Sequence, residues 1–91
     1  MDSHRTAIVD RQDTVRRIRV LTECNPLALR RVLHFIEVRS IVPTRTQAVR
    51  LGEAYLEIDI DIAAHECAHE AFAIVVAKLN QLPEVLVATS Q

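Results

Sequence analysis

The sequence predicts an α+β sandwich with elements in the order β-α-β-β-α-β, two helices covering one face of a four-stranded antiparallel sheet. Three observations predict it. A strand-like run ends at Glu23, and Asn25-Pro26 then opens a stripe of apolar residues at helical spacing. Tyr55 to Ile62 alternates strictly between apolar and mostly acidic residues. Ala63 to Leu82 carries a second helical apolar pattern and is closed by Pro83.

Residues 1–13 are mixed and mostly polar and read as a flexible or extended N-terminal arm; residues 14–91 read as a single domain. From Thr14 to Glu23 the run favours a strand, with Ile18 and Val20 on one face and Arg17 and Arg19 on the other. Asn25 is a favoured N-cap, because its side-chain oxygen can accept from an orphan backbone N–H. Pro26 suits the first helical position, where no N–H is needed. Leu29, Val32, Leu33 and Ile36 then recur at i, i+3, i+4 and i+7, while Arg30, Arg31, His34 and Glu37 fall largely on wet faces.

Residues 41–51 are rich in Thr and Val. Pro43 removes a ladder donor and so places this second strand at the sheet edge. Gly52-Glu53 reads as the turn into the third strand. There Leu56, Ile58, Ile60 and Ile62 alternate with Tyr55, Glu57, Asp59 and Asp61. Three carboxylates on one face repel unless bases lie opposite. Arg17 and Arg19 supply them if the first and third strands are antiparallel neighbours. The second helix, read as Ala63 to Leu82, turns Ala68, Ala71, Phe72, Val75, Leu79 and Leu82 inward, and Val85 to Thr89 forms the last strand. This is the ferredoxin-like supersecondary order.

Composition removes several functions. A net charge of −1 and 3% aromatic residues offer neither a basic footprint nor stacking platforms for nucleic acid. No stretch has the apolar length of a signal peptide or a membrane span, so a cytoplasmic location without membrane association is expected. Cys24 and Cys67 read as reduced, partly buried thiols.

Candidate chemistry is thin. His65-Glu66-Cys67-Ala68-His69 matches H-E-x-x-H, which on a helix places two imidazoles on one zinc. Phe72 and Val75 stand where the extended motif needs Gly and His, so a metal-dependent enzyme is the remote reading and no metal ligand is assigned. Cys24 lies beside a helix N-terminus, a place that lowers thiol pKa, but no base is set near it by sequence. A single Gly excludes a glycine-rich phosphate loop. The expectation is a protein that is not an enzyme and needs no cofactor.

The runs NPLALRRVLHFIEVRS and KLNQLPEVLVA resemble the ACT domain of acetohydroxyacid (acetolactate) synthase regulatory subunits, in particular the short single-domain form. The resemblance covers about residues 15–89. It implies the βαββαβ fold, a homodimer joined through edge strands, and an amino-acid effector held where the first loop of one protomer meets the second strand of the other. Carried onto this sequence, the ligand-binding positions are Cys24, Asn25, Leu27 and Ala28 in the loop, with Val42 and Pro43 at the start of the second strand. The long regulatory subunits carry E-N-x-P-G-A-L in this loop. Here Cys24 replaces the ligand-contacting Asn, and Leu27 replaces the Gly that lets a backbone N–H approach a carboxylate. A zwitterion must have both charges met by hydrogen bonds before it leaves water, so an apolar ligand, or none, suits these residues better than valine.

Three functions follow as expectations. The first is a non-catalytic regulatory module partnering a large catalytic subunit such as that of acetolactate synthase. The second is a stand-alone amino-acid sensor. The third, remote, is the metal enzyme of the HECAH stretch.

Overall fold

The computed structural model describes residues 14–91 and shows the predicted order. Strands β1 (Val15–Glu23), β2 (Arg45–Leu51), β3 (Tyr55–Ala63) and β4 (Val85–Ser90) form one antiparallel sheet ordered β2-β3-β1-β4. Helices α1 (Pro26–Glu37) and α2 (His69–Leu79) bury their inner residues on the sheet face that carries the isoleucines. The first and third strands are neighbours, as the charge pattern requires, and β2 is an edge; it begins at Arg45 and not at residue 41, so Pro43 lies in the link before it and takes no part in the ladder. The N-terminal arm expected over residues 1–13 lies outside the described residues.

The core is built from period-two positions of the sheet and one stripe of each helix. Ile18, Val20, Ile58, Ile60 and Ile62 meet Val32 and Ile36 of α1 and Phe72, Val75 and Leu79 of α2, all nearly inaccessible to water. Burying each such side chain is worth about 1.5–3 kcal/mol. On α1 the fully buried set is Ala28, Val32 and Ile36, whereas Leu29 and Leu33 are only half-buried. The predicted stripe is therefore rotated by part of a turn, and its leucines form a flank.

The second helix is shorter than predicted at both ends. β3 runs on through Ala63, which pairs with Val15, and the Ala64 N–H donates to the Thr14 carbonyl. A 3₁₀ turn, Ala64–Glu66, follows, and Cys67 and Ala68 are extended before α2 begins at His69. Arg16 holds this detour in place: its Nη1 donates to the Cys67 carbonyl at 2.7 Å, and its guanidinium lies 5.6 Å from the Phe72 ring centre. Ala68 and Ala71, assigned inward, are exposed, and Leu82 is half-buried beyond the helix. At the far end Asn80 stops α2 by turning its side chain to β4.

The opposite face of the sheet is a charge ladder at one end and apolar at the other. Arg17 forms a bidentate pair with Asp61, at 2.7 and 3.1 Å, and Arg19 another with Asp59, at 2.9 and 3.2 Å. Glu57 lies 3.3 Å from Arg19 Nε. Toward the other end the same face carries Leu21, Val49, Leu51, Tyr55 and Val87.

The two edges of the sheet differ. β2 is regular, seven residues long and exposed throughout. β4 has a bulge: Leu21 faces Val87 and Thr22 faces Val85, which leaves Leu86 without an opposite. The Asn80 carboxamide then takes both outward groups of Ala88, donating to its carbonyl at 2.8 Å and accepting from its N–H at 2.9 Å. A side-chain amide thus stands where a neighbouring strand's peptide would.

Candidate functional site

The β1–α1 loop is set by its own hydrogen bonds. The Cys24 N–H donates to the Ala54 carbonyl at 2.9 Å, fastening the loop to the β2–β3 turn, where Gly52 takes a φ of +67°. Asn25 is extended and caps α1: its Oδ1 accepts from the Leu27 N–H at 2.8 Å and the Ala28 N–H at 3.2 Å. The Asn25 carbonyl accepts from Ala28 and, at 3.5 Å, from Leu29. Pro26 has no N–H. The N–H groups of Leu27, Ala28 and Leu29, the donors of the first helical turn, are therefore all engaged inside the chain.

The six predicted site residues fall into two groups. Cys24, Asn25, Leu27 and Ala28 lie at the N-terminal end of α1. Val42 and Pro43 lie in the link after its C-terminal end. The rest of α1, residues 29–37, roughly 13 Å of helix, separates the groups. Within one chain the structure does not bring them together. Cys24 is half-buried, Asn25 and Leu27 are exposed, and Ala28 is buried under the helix, leaving no side-chain atoms at the surface for a ligand.

What the sequence did not indicate is the groove joining the two groups along α1. Leu33, Ile36, Ile41, Val42, Pro43 and Thr46 line a shallow, mainly apolar groove of about 550 Å³ between the C-terminal half of α1 and β2. The half-buried leucine flank of α1 continues it toward Leu27. On the helix side of β2, Thr46, Ala48 and Arg50 oppose the core residues Ile60, Ile58 and Leu56, yet remain exposed. Helical spacing gave no signal of the groove, because Leu29 and Leu33 share the spacing of core residues.

The HECAH stretch does not form the arrangement its spacing suggested. His65 is on the 3₁₀ turn and His69 opens α2, with extended Cys67 and Ala68 between them. The two imidazoles therefore do not share a helical face at i and i+4. Glu66 Oε1 instead accepts from the Val42 N–H at 3.4 Å, tying the link before β2 to the turn before α2. Among the described residues no cluster of three or more His, Cys, Asp or Glu side chains is placed to hold a metal ion. The acidic row is committed to arginine. Hydrogen bonds from Arg17 hold the Asp61 carboxyl below its ordinary range, burial opposes this, and the charges of Arg17 and Arg45 reinforce it.

Compared by sequence, the chain matches no family model and no curated protein. Solved structures do match in shape. The crystal structure of the ACT domain from GTP pyrophosphokinase of Chlorobium tepidum aligns over 87% of this chain and 99% of that one, with a TM-score of 0.72 at 11% identity. The solution structure of the same domain gives 0.71 at 11% identity, over 87% of this chain and 86% of that one. The C-terminal domain of the MgtC protein from Mycobacterium tuberculosis gives 0.67 at 15% identity, over 85% and 84%. At these identities the likeness is one of fold, and the fold is that of ACT domains. No helix among the described residues is long and apolar enough to cross a membrane.

Proposed function

We propose that this chain is a non-catalytic regulatory module that works through protein contacts, a small subunit tuning an amino-acid-biosynthetic enzyme of the acetolactate synthase kind. One observation carries the reading: an open, regular β2 edge lies beside a leucine-flanked groove, while the N–H groups of the first turn of α1 are already engaged within the chain. The chain offers a surface for a protein and no ready seat for an amino acid.

A homodimer through β2 completes the picture. Antiparallel pairing about Ala48 sets Arg45 opposite the partner's Leu51 and Thr46 opposite the partner's Arg50, so no like charges meet. It also carries the partner's Val42 and Pro43 toward the Cys24–Asn25 loop, uniting the groups that one chain keeps apart. The test is to add the purified chain to the catalytic subunit of acetolactate synthase from the same source. The expected result is a change in its rate on complex formation, with no heat when valine, leucine or isoleucine is titrated into the chain alone. An unchanged rate together with no detectable complex overturns the proposal. Saturable heat from one of the three amino acids replaces it with the sensor reading.

A further inference from the structure

The outer face of α2 is the least expected surface of the molecule. A surface helix ordinarily opposes an apolar stripe with a polar one, yet the solvent side of α2 carries Ala71, Ala73, Ile74 and Ala77, with Ile74 54% exposed. Charge appears at two places on this side, Glu70 in the first turn and Lys78 in the last. The arrangement is symmetric about Ile74. Glu70 and Lys78 lie four residues to either side and Ala71 and Ala77 three, so all five share one face about a third of the helix circumference wide.

We infer that this face packs on itself, α2 against α2 of a second copy, antiparallel about a two-fold axis at Ile74. A two-fold contact requires a self-complementary patch, and this one is self-complementary in charge and in size. With Ile74 against its twin, Glu70 of each copy comes level with Lys78 of the other, and the alanines allow the backbones to approach closely. The helix dipoles also run opposite ways. The contact is separate from the β2 edge and independent of any regulatory role. It involves one 11-residue helix, so its area is small and its affinity modest, roughly tens to hundreds of micromolar.

The dipole of a lone helix also favours acid at its start and base at its end, and the experiment separates the two explanations. The association that survives Ala48→Lys, at the centre of β2, is followed in the full chain by sedimentation up to about millimolar concentration, with circular dichroism monitoring the fold. Glu70→Lys and Lys78→Glu each place like charges together twice per contact and weaken association roughly tenfold or more. An equimolar mixture of the two variants restores opposite charges at both places and recovers association to the wild-type level. Ile74→Asp abolishes it. Single variants that associate as tightly as the wild type, a mixture that does not recover, or a wild-type chain that shows no α2-dependent association at millimolar concentration overturns the proposal.

Discussion

Asn25 illustrates how one side chain can settle what a loop is for. Its oxygen ends two orphan donors of α1, so Asn25→Ala is expected to cost about 1 kcal/mol in urea unfolding, with Asn25→Asp close to wild type. The same substitution frees the Leu27 N–H, while the Ala28 N–H keeps the backbone carbonyl of residue 25. If the cap is what closes the site to carboxylates, the alanine variant is the form in which weak anion binding becomes measurable by calorimetry. Asp61 acts on stability through pH. Its carboxyl is held below the ordinary range when folded, so its contribution is present above the unfolded pKa near 4 and is lost as pH falls through the lower folded value. Asp61→Asn is expected to lower stability at pH 7 and to flatten the acid limb of the stability profile below about pH 4, read from urea midpoints across pH. The pairing of Arg17 and Arg19 with this row was legible because charge at period two leaves one register that matches acids with bases. The engagement of the loop donors was not, since it depends on where an oxygen points and not on which residue carries it.

The helices divide by how local their causes are. α1 begins where Asn25-Pro26 says it should, because cap and φ are properties of those two residues. α2 begins six residues later than its pattern suggests, because β3 stays paired to β1 and Arg16 grips the Cys67 carbonyl from 51 positions away. Sequence periodicity carries no trace of such a contact. The leucine stripe of α1 was read as core since any apolar residue at the right spacing looks inward; Leu29 and Leu33 belong to a flank. Truncation distinguishes the classes. Ile36→Ala should cost about 3 kcal/mol by opening a cavity, while Leu27→Ala, at an exposed position, should change stability by less than about 0.5 kcal/mol; chemical denaturation of both variants checks this. Asn80→Ala removes the groups that satisfy Ala88 and should cost about 1–2 kcal/mol, with loss of amide exchange protection at Ala88 as the specific sign.

For the whole molecule, the fold class was legible because element order and strand adjacency follow from patterns spread over the entire chain. The assignment of six residues to one site rests on resemblance alone: within one chain they form two groups toward opposite ends of a helix, and only a second chain would bring them together. Ala48→Lys, which sets two ammonium groups at the proposed β2 axis, is expected to leave a folded monomer with respect to that contact; light scattering and circular dichroism together check it.

Asn80 has one more consequence, and it concerns how many neighbours the sheet can accept. Ribbons with two available margins recruit copies without limit, which is the route to fibres. Here a carboxamide occupies the outward groups of Ala88 and a skipped residue interrupts the regularity of that margin, which makes it the poorer template. Were copies to join along the other margin, as proposed, the assembly would stop at two, and removing the amide would weaken that stop.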